Sequence, residues 1–127
     1  MSLSKKDIKI LIVDDDKVLR DILSHMLSMS DFVVEQAGNG KEALEKIKIN
    51  KPDIIILDCI MPVMDGFETF VNLKRNPDTQ DISIMFCSAT HIEEAKNRGL
   101  KADGYIEKPF IIEDLLKKIN EIIKAKQ

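Results

Sequence analysis

The sequence predicts an α/β domain, with five parallel strands in one sheet and helices wound on both faces. Three observations predict it. Short apolar runs alternate with segments of 3.6-residue periodicity five times over, a pattern that implies a parallel sheet covered on both sides. Two runs, Ile10-Leu11-Ile12-Val13 and Ile54-Ile55-Ile56-Leu57, are apolar at every position and not at every second one. Strands buried on both faces read that way. The runs also end in polar side chains, at Asp14, Asp58, Ser88 and Lys108.

The elements follow in order. Lys9-Ile10-Leu11-Ile12-Val13 is the first strand and stops at Asp14-Asp15-Asp16. Val18, Leu19, Ile22, Leu23, Met26 and Leu27 then place one apolar face on a helix, which Asp16 is placed to cap. Phe32 to Ala37 is more polar, as an edge strand should be. Asn39 caps the second helix, with Glu42 three residues on in a capping-box arrangement. Its Ala43, Leu44 and Ile47 face inward, and Asn50-Lys51-Pro52 ends it. The third strand runs into Asp58, and Pro62 and Gly66 punctuate the connection that follows. Phe67, Phe70 and Val71 mark a third helix, which Asn76-Pro77 closes. Ile82 to Cys87 is the fourth strand, leading into Ser88, and Ile92 to Arg98 is a weakly amphipathic fourth helix. Gly104 to Glu107 is a short fifth strand before Lys108-Pro109. The last helix carries Ile111, Ile112, Leu115, Leu116, Ile119, Ile122 and Ile123 on an arc of about 140°.

Size and composition exclude several classes. The 127 residues suit a single domain over 1–127, with a core of about 8–124. A chain this long buries roughly 65–70% of its unfolded surface, so it needs no staple. A net charge of −3 gives no basic footprint for nucleic acid. No apolar run approaches the ~18 residues of a membrane span, and the first residues lack a signal peptide's apolar core. Cys59 and Cys87 have no metal-ligand spacing and read as buried free thiols, which fits a reducing cytoplasm. Alternation along a strand points each away from the neighbouring polar end.

Five strands suit the flavodoxin-like order 2-1-3-4-5. Right-handed crossovers then leave all the carboxyl ends on one rim, where such sheets bind ligands. Strands one, three, four and five bring Asp14, Asp15, Asp16, Asp58, Ser88 and Lys108 there. Crowded carboxylates repel, and a hard divalent cation relieves the repulsion; few carboxylates plus water and a phosphoryl group suit Mg²⁺. A cation, the Lys108 ammonium and the Ser88 hydroxyl are the parts phosphoryl transfer needs. A carboxylate such as Asp58 can be its nucleophile.

Asp58-x-x-Met61-Pro62-x-Met64-Asp65-Gly66 resembles the phosphoacceptor loop of the receiver domains of bacterial two-component response regulators. With the rim residues included, the resemblance runs from Ile8 to about Lys124. It implies a regulatory domain, not an enzyme, that takes a phosphoryl group on Asp58 from a histidine kinase or a histidine phosphotransfer protein. It implies Mg²⁺ held by Asp15, Asp58 and the Ile60 backbone carbonyl, with Asp14 acting through water. Lys108 would pair with Asp58, Ser88 would donate to the phosphoryl group, and Tyr105 would turn inward when Ser88 shifts. The Lys108-Pro109 bond would be cis, and the fourth helix, fifth strand and fifth helix would form the surface a target reads. Ile60 and Thr90 would tune acyl-phosphate lifetime. A cytoplasmic location and a monomer or phosphorylation-dependent dimer follow from the same resemblance.

One spacing departs from that family. Ser88 and Lys108 are 20 positions apart, about two fewer than usual, which shortens the loop after Ser88 or the fourth helix. Two rival readings stand beside the receiver. Asp14-x-Asp16 after an apolar strand also resembles the nucleophile motif of haloacid-dehalogenase-like phosphatases, with Asp14 as nucleophile. That family needs a further strand with an acidic pair after Lys108, where only a helix is predicted. The other rival keeps the fold as an interaction module that is never phosphorylated. Among the remaining residues, Asp16 reads as a cap and Asp65-Gly66 as a turn former. His25 and His91 read as exposed.

Overall fold

A computed structural model describes residues 8–126. Residues 1–7 and 127 of the expected domain lie outside the described residues. The order is β1 (Lys9–Val13), α1 (Lys17–Met29), β2 (Val33–Ala37), α2 (Gly40–Ile49), β3 (Ile54–Leu57), α3 (Gly66–Arg75), β4 (Ser83–Ser88), α4 (Ile92–Asn97), β5 (Gly104–Glu107) and α5 (Ile112–Lys126). The five strands form one parallel sheet in the order β2-β1-β3-β4-β5, as expected. β2 and β4 each begin one residue later than the apolar run suggested, at Val33 and Ser83.

Each dry strand feeds two cores. Ile10, Ile12, Ile54, Ile56, Met85 and Cys87 pack with Leu23 and Leu27 of α1 and with Leu115, Ile119 and Ile122 of α5. Leu11, Val13, Ile55, Leu57, Ile84 and Phe86 pack with α2, α3 and α4. Side-chain alternation on strands buried from both sides requires this division. Cys87 and Cys59 fall into opposite cores, both buried and unbridged. Burial pushes the Cys59 thiol up to about 11 and the Cys87 thiol up to about 12, so neither is a thiolate near neutral pH.

The helix ends follow from local chemistry. Asp16 accepts from the Val18 and Leu19 amides, Asn39 from Glu42 and Asp65 from Glu68. α1 ends in a Schellman motif: Phe32 N–H donates to Leu27 and Asp31 N–H to Ser28, with Asp31 at φ 72°.

One expectation about α1 changes. Of its six apolar positions only Leu23 and Leu27 are buried, while Val18, Ile22 and Met26 are exposed at 68%, 48% and 37%. Periodicity located the apolar face correctly, but α5 covers only its inner edge. The outer edge borders an open apolar groove with Ala89, Lys108, Pro109 and Phe110. Ile111 likewise precedes α5 and stays 61% exposed.

Candidate functional site

β1 and β3 are neighbours in register, with Val13 level with Leu57. The residues that follow them, Asp14 and Asp58, therefore emerge side by side. The ladder continues one step beyond the strands, since Asp58 N–H donates to Val13 at 2.9 Å and Asp14 N–H to Ala37 at 3.1 Å. Carboxylate oxygens of Asp14, Asp15 and Asp58 all lie within 4.8 Å of one another, the one such acidic or metal-ligating group among the described residues. Asp14 and Asp58 are buried and Asp15 is exposed, so the cluster opens to solvent on one side.

Lys108 reaches in from the end of β5. Its Nζ is 2.6 Å from Asp14 and 3.6 Å from Asp58. The resemblance implied Asp58 as its partner; in the structure Asp14 is the closer one and Asp58 the second. Burial alone would pull the Lys108 ammonium down, but the Asp14 hydrogen bond and the two carboxylate charges outweigh it and hold it above its ordinary value. Asp58 is raised as well, which for a carboxylate disfavours the charged form. Burial first, then the Asp14 charge, push it up to about 6, against the opposing pull of Lys108. One cation thus serves two buried anions, and a third anion stands at the rim.

Ser88 ends β4 and is buried; its carbonyl accepts from Lys108 N–H at 3.0 Å, which ties the two neighbouring strand ends together. The Lys108-Pro109 peptide bond is cis, as the resemblance implied. Tyr105 does not reach the carboxylates. Its ring stacks on Phe86 at 6.3 Å, its hydroxyl donates to the Leu100 carbonyl at 2.8 Å, and the Ala102 amide donates to it at 3.1 Å. Ile60 and Thr90, two residues past Asp58 and Ser88, are exposed. His91, expected exposed, is half-buried, with its Nδ1 2.8 Å from the Thr90 hydroxyl.

Two glycines let the loops close on each other. A Cβ on Gly66 would stand 1.9 Å from the Asp58 carbonyl oxygen, and one on Gly40 would stand 1.9 Å from the Thr69 hydroxyl. Asp65 and Gly66 therefore act as a cap and a close approach beneath Asp58, in keeping with their reading as turn formers. Sequence reasoning passed over Arg20, whose guanidinium donates to the Asp14 backbone carbonyl at 2.7 Å. A signal was present: a cation one helical turn past the acidic triplet can reach back over it.

A doubly wound parallel sheet with carboxylates, a hydroxyl and an ammonium gathered at the carboxyl ends of its strands defines a class of α/β proteins that bind ligands at that rim. The family model "Response regulator receiver domain" matches residues 10–120. The response regulator MprA of Mycobacterium ulcerans is 35% identical over 117 residues, which is 92% of this chain and 50% of that protein. The chemotaxis protein CheY4 of Vibrio cholerae superposes with a TM-score of 0.84 at 34% identity, covering 91% of this chain and 98% of that one. The receiver domain of a signal transduction histidine kinase from Syntrophus aciditrophicus superposes with a TM-score of 0.84 at 29% identity, covering 92% and 90%. The chain belongs to the response regulator receiver domain family and is a regulatory domain of two-component signalling. It spans about half the length of the curated relatives it matches. Among the described residues α5 follows Lys108, where a haloacid-dehalogenase-like phosphatase would place a further strand with an acidic pair. Among the described residues no helix is long and apolar enough to cross a membrane.

Proposed function

We propose that Asp58 accepts a phosphoryl group from a phosphohistidine of a sensor kinase or of a histidine phosphotransfer protein. The observation that carries this is the meeting of three carboxylates within 4.8 Å under a single shared ammonium at the strand ends. An all-oxygen set with two buried anions and one open side fits Mg²⁺. Asp14, Asp15, Asp58 and the Ile60 carbonyl are the groups that would hold it. When bound, the cation offsets charge on the incoming phosphoryl oxygens and keeps Asp58 ionised.

The chain's own residues do the rest. An oxygen of Asp58 attacks phosphorus, the P–N bond to the donor imidazole breaks, and the electron pair leaves with the imidazole. Lys108, already between Asp14 and Asp58, turns from Asp14 to the new phosphoryl oxygens. The Ser88 hydroxyl donates to another of them. Phosphorylation adds a nearly doubly charged group. The pull on Ser88 and Lys108 is transmitted along β4 and β5 to Tyr105 and to the α4–β5–α5 surface that a target protein or an attached output domain reads. Residues 1–127 act as one cytoplasmic receiver unit, catalysing at most its own phosphorylation and dephosphorylation, as a monomer or a phosphorylation-dependent dimer, without binding nucleic acid or membrane.

Intact mass after incubation with Mg²⁺ and acetyl phosphate tests this. The expected result is a single phosphoryl adduct that chelator prevents and Asp58→Asn abolishes. An adduct that survives Asp58→Asn and disappears in Asp14→Asn would overturn the assignment, and no adduct with any donor would leave an interaction module.

A further inference from the structure

We infer that Arg20 is a positioning residue for the acidic loop, its guanidinium fixing the Asp14–Asp15 peptide so that both carboxylates face Asp58. The inference rests on the cation-binding reading proposed above. Arg20 Nη1 donates to the Asp14 carbonyl at 2.7 Å, and Nε donates to the Gln36 side-chain oxygen at 3.1 Å. The Gln36 amide donates in turn to Asp21 at 3.2 Å, and the Lys17 ammonium lies 2.8 Å from the other oxygen of Asp21. Among the described residues no carboxylate forms an ion pair with Arg20. Its fork is spent on two neutral oxygens, one of them the carbonyl that joins two members of the cluster.

That carbonyl belongs to the peptide that leads into the outer acid, and the Asp16 N–H, which donates to the Asp14 carboxylate, holds the peptide that leads out of it. Asp14 is anchored through its own N–H to Ala37 and through its side chain, which accepts from Asp16 N–H at 2.9 Å and pairs with Lys108. Asp15 is exposed, and its carboxylate makes no hydrogen bond among the described residues. Rotation of the Asp14–Asp15 peptide would swing Asp15 away while leaving Asp14 held. The planar guanidinium, set by acceptors on the loop and on β2, blocks that rotation.

Three roles for Arg20 predict three different signs. If it positions the loop, its loss weakens cation binding. If it merely neutralises the acids, its loss leaves a more negative pocket and tightens cation binding. If it only supports the fold, melting temperature falls and affinity of the folded protein is unchanged. Lysine keeps the charge but lacks the planar fork, so it cannot present two donors in the fixed geometry that Nη1 and Nε give.

The test titrates MgCl₂ into wild type, Arg20→Met, Arg20→Lys and Gln36→Leu by calorimetry near pH 7.5, each first shown folded by circular dichroism. Exchange of the Asp15 amide is followed by NMR without metal. We expect Arg20→Met and Arg20→Lys each to bind about 10-fold more weakly, Gln36→Leu to lose less, and the Asp15 amide to exchange faster in all three. Equal or tighter binding by folded Arg20→Met, or rescue by Arg20→Lys, overturns the inference. If Arg20→Met does not fold, wild-type affinity in Gln36→Leu overturns it. A wild type that binds no Mg²⁺ fails earlier and separately, because it removes the cation-binding reading on which the inference rests.

Discussion

The loops after β1 and β3 are tied at almost every turn, whereas the segment between β4 and β5 hangs on few interactions. On the first side Asp16 and Asp65 cap α1 and α3, Arg20 braces Asp14, Gly40 N–H donates to the Met64 carbonyl at 3.1 Å, and Gly66 lies against the Asp58 backbone. On the second side α4 has six residues, no side-chain cap at His91, and only Ile92 and Ala95 buried. Its charged ties are the surface pairs of Lys96 with Glu93 and Arg98 with Glu94, and the cations of Lys96 and Arg98 over the Tyr105 and Phe67 rings. The difference separates two jobs. Phosphoryl transfer needs groups held within a fraction of an ångström, and the braced side supplies the acids. A switch needs an element of low local stability, and on the function proposed above α4, in the segment between Ser88 and Lys108, would be that element.

The largest test of this contrast compares two glycines. Gly66→Ala places a methyl 1.9 Å from the Asp58 carbonyl, and both partners are backbone, so the loop must move. We expect a loss of about 3 kcal/mol or more in urea denaturation, together with loss of the acyl phosphate. Gly99, at the end of α4, has φ +76° with open space around it. Gly99→Ala should cost only about 1–2 kcal/mol of left-handed strain and leave phosphorylation intact. Similar losses in the two variants would erase the contrast.

Titration of Asp58 sharpens it next. The folded state holds this carboxyl at about 6, above its ordinary 3.8, so the metal-free fold binds the proton more tightly than the unfolded chain does. Stability from this source is fully present below pH 4 and is lost as pH rises through 6. In chelator, Asp58→Asn should therefore be the more stable protein above pH 6, by about 1 kcal/mol after discounting for solvent at the open rim, and equal to wild type near pH 4. Saturating Mg²⁺ above pH 6 should shrink or reverse that gap. A gap that persists at pH 4 would mean Asp58 is strained for a reason other than its charge.

How far these regions were legible in the sequence differs in the same way. The dry strands could be read because burial on both faces leaves an unbroken apolar run. Asp16 and Asn39 could be read because a cap is a local device. Asp14, Asp15, Asp58, Ser88 and Lys108 were legible as strand ends, and the sheet order brought their elements together. What was not legible depends on neighbours that only the fold supplies. Periodicity on α1 could not say that α5 stops short of Val18, Ile22 and Met26. Charge alone could not say that Lys108 sits nearer Asp14 than Asp58, and nothing local tied Arg20 to Gln36, 16 residues away.

Exchanging helix caps probes the contrast at smaller scale. Asp65→Ala removes an acceptor for the Glu68 amide, 2.9 Å away, and should cost about 1 kcal/mol. His91→Asp adds a cap that α4 lacks and should raise stability by about 0.5–1 kcal/mol. If α4 is the movable element, hydrogen exchange in α4 should slow in His91→Asp more than anywhere else. A uniform slowing would mean α4 already opens only with the whole domain.

The smallest effect separates two bonds made by one side chain. Arg98 pairs with Glu94 one turn back, and its guanidinium also lies 4.3 Å over the Phe67 ring on α3. The ion pair is exposed and should be worth about 0.3–0.5 kcal/mol. The contact with the ring is partly shielded from water and worth about 0.5–1 kcal/mol. Glu94→Gln removes only the pair, so its loss should vanish in 1 M salt. Arg98→Ala removes both, so a residue of its loss should survive the salt. That residue is the strength of the one cationic strap from α4 to the braced side. If salt abolishes the whole effect of Arg98→Ala, the strap contributes nothing, and α4 is held to α3 by Ile92 and Ala95 alone.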